Sequence, residues 1–190
     1  DSEKLRHHRW GSNNSFNALV GMDYTWHANQ SQKNGEPGYI WLDNARTRGR
    51  FKDGERLDDV NVAGFNPCVE QQLEDAELCC LVETFPAKHE DMDDYLKTLK
   101  IAYLYGKTIT LSNTHWPETN AKMLKNRRIG LSQSGVVQAF NKHGRREMYN
   151  WCDHAYEFVQ KLDEEYSNWL CIPKSIRTTS IKPSGTVSLL

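Results

Sequence analysis

One short stretch of the sequence gathers residues that could do chemistry together. Residues 65–83 read FNPCVEQQLEDAELCCLVE and contain three of the chain's five cysteines. Pro67 disfavours helix at Asn66, so the sequence predicts extended backbone from that residue on. Alternate side chains of an extended segment share a face. The amide of Asn66, the thiol of Cys68 and the carboxylate of Glu70 would therefore point to one spot.

The carboxylate decides which thiol chemistry this group favours. A nucleophilic cysteine needs a lowered thiol pKa, from a nearby cation or a helix N-terminus, and a carboxylate disfavours the thiolate. A neutral thiol beside a general base suits hydrogen-atom transfer, because a thiyl radical needs no thiolate and the carboxylate can move a proton on the same substrate. From the residues alone, a buried turn with no catalytic role remains the alternative.

Two further cysteines follow closely in the sequence. Cys79 lies eleven residues after Cys68 and is followed directly by Cys80. A second thiol near a radical thiol could supply reducing equivalents and close a disulfide. The alternative is that Cys79 and Cys80 are both core thiols of a strand over LCCLVETF.

The turn KPSGT, residues 182–186, could bind an anion. It follows a predicted strand and opens a predicted helix, where free backbone N–H groups and the positive end of the helix dipole favour negative charge. Ser184 and Thr186 add hydroxyls, and Gly185 permits close approach of a phosphate. Helix capping without any ligand explains the same residues equally well.

The elements that must position these residues follow from periodicity. A stripe of Leu96, Leu99 and Tyr103 predicts a helix over 92–105 that ends at Gly106. Further helices are predicted at 135–144 and 146–170, and short buried strands over GYIWLD, RRIGLS and IRTTSI. Helices that alternate with such strands indicate an α/β class with parallel pairing.

Composition excludes several classes of protein. The 24 Lys and Arg balance 25 Asp and Glu, which argues against a nucleic-acid-binding surface. No apolar run reaches the ~20 residues of a membrane span. Five cysteines without zinc-ligand spacing predict free thiols in a reducing cytoplasm and no metal site. Both termini read as the interior of a longer chain.

Taken together, the motifs resemble the catalytic subunit of ribonucleotide reductases, most closely the adenosylcobalamin-dependent, class II, monomeric ribonucleoside-triphosphate reductases. The resemblance covers essentially the whole chain and implies that residues 1–190 are the central portion of the family's ten-stranded α/β barrel, truncated at both ends. The motifs that carry it are RHHRWGSNNS, NGEPGYIWLDNARTRGR, NPCVE, LCCLVETFP, NRRIG and IKPSGTVSLL.

The resemblance implies roles for the residues of the cysteine stretch. Cys68 would be the thiyl-radical site that removes the ribose 3′ hydrogen, and Glu70 would be the base at the 3′ hydroxyl. Asn66 would hydrogen-bond the ribose hydroxyls. Cys79 would be one of the two cysteines that reduce the substrate. Cys80 departs from the family, where a non-cysteine is expected, and could compete for oxidation.

The resemblance also implies ligands and partners. A ribonucleotide would place its phosphates on Ser184, Gly185 and Thr186, and adenosylcobalamin would be the cofactor. Thioredoxin or a similar reductant would act through a C-terminal cysteine pair in the remainder of the reductase chain. These 190 residues alone should therefore not catalyse the reaction. Two alternatives stay open: a thiol–disulfide redox protein without radical chemistry, and a non-catalytic nucleotide-binding remnant.

Overall fold

The computed structural model describes residues 14–183 of the chain, without the side chain of Asn34. The chain divides after Asp75 into two compact units, and each is described by itself. Among the described residues, no helix is long and apolar enough to cross a membrane.

The first unit begins with a strand–helix–strand element. Strand β1 (Ser15–Ala18) pairs in parallel with β2 (Gly38–Trp41), and helix α1 (Thr25–Asn34) connects them. Gly35 ends α1 at φ 82°, a left-handed conformation that glycine adopts without steric cost. The predicted strand GYIWLD is confirmed over its first four residues, whereas its last two belong to helix α2 (Leu42–Thr47).

A short hairpin completes the first unit. After a 3-10 turn at Phe51–Asp53, strands β3 (Gly64–Phe65) and β4 (Gln72–Leu73) pair antiparallel. Phe65 lies opposite Gln72, so residues 66–71 form the loop between the strands. The cysteine stretch therefore begins in a hairpin loop.

The second unit alternates helices with parallel strands. Strands β5 and β6 pair in parallel, and the segment predicted as the strand IRTTSI adds one parallel bridge, from Thr179 to Leu131 of β6. This arrangement confirms the predicted α/β class. The elements in chain order are β5 (Leu81–Thr84), a 3-10 turn (Pro86–Lys88), α3 (Met92–Ile109), α4 (Pro117–Asn126), β6 (Gly130–Gln133), α5 (Val136–His143) and α6 (Arg145–Leu170).

Helix α3 passes through the glycine that was expected to end it. Its start is capped by Asp91, whose side chain accepts a hydrogen bond from the Asp94 N–H at 2.8 Å. A Cβ at Gly106 would lie 3.1 Å from Val82 Cγ2 and 3.3 Å from Ile129 Cγ2. The glycine therefore serves close packing of the helix on β5 and the chain entering β6, and the prediction that it stops the helix is wrong.

Two of the other helices confirm predictions, and one is not predicted from the sequence. Helices α5 and α6 lie where the periodicity predicts them, and Gly144 separates them at φ 85°. Helix α4 is not predicted by the apolar pattern, because two of the three side chains it buries are polar, Thr119 and Asn126 beside Met123. It begins with Pro117 at its first position, which suits the fixed φ of proline.

The core of the second unit lies between α3, α6 and the parallel strands. Within it, Tyr95 of α3 stacks on Trp151 of α6 with ring centroids 5.8 Å apart. The buried apolar side chains are Tyr95, Leu99, Tyr103, Ile129, Leu131, Ala139, Met148, Trp151, Ala155, Val159, Leu162 and Tyr166. This core fixes the ends of β5 and β6.

Candidate functional site

The hairpin loop that carries Cys68 is a turn, not an extended segment. The Val69 N–H donates to the Asn66 carbonyl at 2.9 Å, and Val69 has a φ of 65°, in the left-handed region. Proline favours the second position of such a turn because its φ is already fixed. The prediction that Asn66, Cys68 and Glu70 share the face of an extended strand is therefore wrong, although all three lie in one short loop.

Asn66 closes this loop. Its side chain is buried, its Oδ1 accepts from the Gln71 N–H at 3.0 Å, and its own N–H donates to the Gln71 carbonyl at 3.0 Å. These two bonds join the first and last residues of the loop. Asn66 thus has a structural role that the sequence did not suggest.

Within the loop, the thiol and the carboxylate differ in exposure. Cys68 is an exposed free cysteine. Glu70 is half-buried, and both of its carboxylate oxygens are shielded from solvent. The loop therefore offers an accessible thiol two residues from a carboxylate that is withdrawn from bulk water.

Cys79 and Cys80 point into different environments just before β5. Cys79 is exposed, whereas Cys80 is 6% exposed and its thiol donates to the Gly106 carbonyl at 3.4 Å. Burial raises the pKa of Cys80 to about 11, and the neighbouring Cys79 thiol adds to this shift. Cys80 is a core thiol, so only one member of the pair is accessible for redox chemistry.

The predicted phosphate residues Ser184, Gly185 and Thr186 lie outside the described residues. The chain that leads to them is anchored along β6. Ile129 and Leu131 donate their N–H groups to the carbonyls of Arg177 and Thr178 at 2.9 and 3.1 Å. The approach to the turn is thereby fixed to a strand of the core.

A polar cluster lies at the carboxyl ends of β5 and β6. Glu83 Oε1 accepts from the Ser134 hydroxyl at 2.7 Å and from the Ser132 hydroxyl at 3.3 Å. Ser132 Oγ in turn accepts from the Lys182 N–H at 2.8 Å. The sequence reading missed these residues, although the carboxyl ends of parallel strands are where α/β proteins bind ligands.

A buried ion pair holds the chain that follows α6. Lys107 Nζ lies 2.6 Å from Asp163 Oδ1, with side-chain exposures of 0% and 5%, and it also donates to Ser175 Oγ at 2.9 Å. The Ser175 N–H donates to Asp163 Oδ2 at 2.9 Å. Burial lowers the pKa of Lys107, although the Asp163 carboxylate acts in the opposite direction. The cluster ties α3 and α6 to the start of the segment that runs beside β6.

The fold closely matches a solved structure. A crystal structure of a B12-dependent, class II ribonucleotide reductase superposes with a TM-score of 0.87 and 33% sequence identity, over 99% of this chain and 30% of that one. The architecture is thus that of a region of the class II reductases. No protein-family model matches the chain.

Sequence relatives give the same result more specifically. The chain is 55% identical over 183 residues to a probable adenosylcobalamin-dependent ribonucleoside-triphosphate reductase of Dictyostelium discoideum, and 49% identical over 181 residues to the corresponding reductase of Euglena gracilis. Each match covers 95% of this chain but only 24% and 25% of the relative. The resemblance to class II ribonucleotide reductases is therefore confirmed: the chain is homologous to one region of these enzymes and spans about a quarter of their length.

Proposed function

We propose that this chain supplies the radical-cysteine loop of a ribonucleotide reductase that converts ribonucleotides to deoxyribonucleotides by thiyl-radical chemistry. Residues 1–190 would form a central portion of its catalytic barrel. The observation that carries the proposal is the loop of residues 66–71, where an exposed thiol lies two residues from a carboxylate shielded from water. The names of the relatives point to ribonucleoside triphosphates as the substrates.

The proposed reaction begins and ends at Cys68. Its thiyl radical takes the 3′ hydrogen atom, which breaks the C3′–H bond and forms the S–H bond. Glu70 accepts the proton of the 3′ hydroxyl, and the 2′ hydroxyl leaves as water once a thiol has protonated it. Cys68 later returns its hydrogen atom to C3′, so the thiyl radical is regenerated and Glu70 gives back its proton.

The two electrons for the reduction come from a pair of thiols. Cys79 is the exposed candidate for one member, and its partner is a cysteine that this chain does not identify. Their oxidation to a disulfide supplies two electrons and two hydrogens: one proton leaves with the 2′ hydroxyl as water, and the other hydrogen is added to C2′ to form the new C2′–H bond. A thioredoxin-like dithiol would then reduce the disulfide, in accord with a cytoplasmic protein.

Asn66 and the phosphate turn would hold the substrate. With its Oδ1 engaged by the Gln71 N–H, the side chain of Asn66 can offer its amide donor to a ribose hydroxyl. Ser184, Gly185 and Thr186 are proposed to bind the phosphates through hydroxyls and backbone N–H groups.

Adenosylcobalamin fits what this chain offers in one respect. The cofactor carries its own cobalt, so the protein need not supply a metal cluster, and residues 14–183 contain no group of three or more His, Cys, Asp and Glu side chains that could hold a metal ion. When bound, it would supply the chemistry that converts a thiol to a thiyl radical. The accessible Cys68 is the group of this chain that would meet that requirement.

The decisive experiment replaces Cys68 in the complete reductase. Cys68→Ser should abolish deoxyribonucleotide formation, whereas Cys171→Ser, a change at another exposed free cysteine, should leave it intact. Substrate deuterated at the 3′ carbon should react more slowly in the wild type, because the C3′–H bond breaks. Undiminished product from Cys68→Ser refutes the proposal.

The same measurements separate the two alternatives. Thiol–disulfide exchange between Cys68 and Cys79 without any nucleotide reduction would favour a redox protein without radical chemistry. Nucleotide binding without turnover by the wild-type protein, supplied with adenosylcobalamin and a dithiol, would favour a non-catalytic remnant.

A further inference from the structure

We propose that Arg128 is a positioning residue for Cys79, and that it acts through the buried carboxylate of Glu77. Arg128 does not react itself. It holds the chain that carries Cys79, so that this thiol can meet its redox partner. The inference deepens the proposed function and rests on it, because it takes Cys79 as one of the two thiols that reduce the substrate.

Glu77 lies two residues before Cys79 and is anchored by two side chains. Its Oε1 lies 3.1 Å from Arg128 Nε and accepts a hydrogen bond from Asn126 Nδ2 at 3.0 Å. The side chains of Glu77 and Arg128 are both fully buried, with 0% exposure. A buried charge is costly without its partner, so the pair fixes the position of residue 77.

A second anchor holds the residue that follows Cys79. The Cys80 carbonyl accepts from the Gly130 N–H at 2.8 Å, and the Cys80 thiol donates to the Gly106 carbonyl at 3.4 Å. Residues 77–80 belong to no helix or strand, so such anchors matter more for their path than they would in a regular element. The exposed thiol of Cys79 is thereby presented from a short segment that is held on both sides.

Both anchors come from one motif, NRRIG at residues 126–130. Asn126 ends α4, Arg128 lies between that helix and β6, and Gly130 begins β6. Three alternate residues of the motif therefore contact Glu77 or Cys80. The motif contributes to the family resemblance without a stated role, and these contacts assign it one, which is to hold the chain on either side of the redox cysteine.

A disulfide depends on the placement of its two cysteines. The two sulfurs must approach to about 2.05 Å, with their Cβ atoms about 3.5–4.5 Å apart. In the proposed reaction, Cys79 and its partner thiol give two electrons and two hydrogens to the substrate and join in an S–S bond. Displacement of Cys79 therefore weakens this disulfide even where the thiol itself stays as reactive as before.

The test uses the complete reductase and compares two reactions of Cys79. One is disulfide formation with its partner thiol, measured as an equilibrium against reduced and oxidised dithiothreitol. The other is alkylation by iodoacetamide, which needs no second thiol. Arg128→Met should lower the disulfide equilibrium constant about tenfold, a rise of about 30 mV in reduction potential, and leave the alkylation rate near the wild-type value. In turnover, kcat should fall while KM for the ribonucleotide stays unchanged.

Two kinds of control separate positioning from a general loss of stability. Val159 is buried in α6, so Val159→Ala destabilises the same unit by opening a cavity and removes no charge. Its disulfide equilibrium should match the wild type. Arg128→Lys keeps the positive charge and should recover part of the loss. In a Glu77→Gln background, Arg128→Met should cause no further loss, because Arg128 acts through that carboxylate.

A wild-type disulfide equilibrium in Arg128→Met overturns the inference, and so does an equal loss in Val159→Ala. If Arg128→Met does not fold, Asn126→Ala provides the second variant, because it removes a neutral donor to Glu77 and leaves the ion pair in place. It should lower the equilibrium constant severalfold, and an unchanged value would count against the inference. A wild type whose Cys79 forms no disulfide during turnover refutes the role proposed for Cys79 in the reaction, and the inference with it.

Discussion

The Cys68 loop and the ends of β5 and β6 are held in opposite ways. The loop is closed by bonds between Asn66 and Gln71, five positions apart. The strand ends are joined by bonds from Glu83 to Ser132 and from Ser132 to Lys182, which are 49 and 50 positions apart. The loop of the first unit is therefore closed by local contacts, whereas the strand ends of the second unit are joined by contacts between residues far apart in sequence.

This difference distinguishes the residues proposed to react from the residues that support the structure around the strand ends. The residues proposed to react with the sugar lie together in sequence, in a loop that exposes a thiol. The polar side chains at the ends of β5 and β6 depend on the packed core of the second unit. Changes in the core of the second unit should therefore have larger effects on stability than changes in the loop, and three predictions test this ordering.

The largest effect is expected at the buried ion pair of the second unit. Asp163→Ala leaves the Lys107 ammonium buried without its carboxylate, which should destabilise the second unit by about 3–5 kcal/mol. The Ser175 N–H, which donates to Asp163 Oδ2, should lose its protection from hydrogen exchange. Protection factors in the complete protein, with urea unfolding, would measure both effects.

Glu164→Ala is the matched control for that change. Glu164 pairs with Lys174 at 3.1 Å, and both side chains are 60% exposed. Its removal should cost less than about 1 kcal/mol because solvent screens the pair. Equal effects of the two substitutions would show that the buried cluster does not hold the segment beside β6.

Particular elements show what the sequence could predict. Helix α6 is evident because apolar residues recur at helical spacing, and α4 is not because it buries mainly polar side chains. The motif NPCVE predicts the residues of the loop but not its shape, because Pro67 favours extended backbone at Asn66 and also the second position of a turn. Glu83 and Ser132 were missed because no local pattern encodes a contact 49 positions long.

A smaller effect is expected from the buried member of the cysteine pair. The pKa of Cys80 is about 11 in the folded protein, above the ordinary value of 9.0. Below pH 9 the thiol is protonated in both the folded and the unfolded protein, so its ionisation does not change the free energy of unfolding. Between pH 9 and 11 the unfolded state loses the proton first, so the free energy of unfolding should fall, by at most about 3 kcal/mol.

Two serine variants isolate this contribution from the other groups that titrate at high pH. The urea midpoint should fall more between pH 8.5 and pH 10.5 in the wild type and in Cys79→Ser than in Cys80→Ser. The Cys80→Ser variant lacks the thiol that causes this part of the pH dependence. Iodoacetamide should also modify Cys79 in the native protein and Cys80 only after denaturation. Rapid native modification of Cys80 would show that the two thiols do not differ as the structure indicates.

The smallest effect, with the opposite sign, is expected in the Cys68 loop. Val69 has a φ of 65°, and a β-branched residue in the left-handed region stores about 1–3 kcal/mol of strain. Val69→Gly removes that strain and loses about 0.5–1 kcal/mol to the greater freedom of the unfolded chain, so the loop should gain about 1 kcal/mol. The readout is hydrogen exchange at the Gln71 N–H, which closes the loop on Asn66 and should exchange more slowly.

Val60→Gly, at an exposed position without positive φ, should be destabilising instead. Faster exchange at Gln71 in Val69→Gly would mean that contacts of the valine side chain outweigh its backbone strain, and that the loop is not held by its backbone and Asn66 alone.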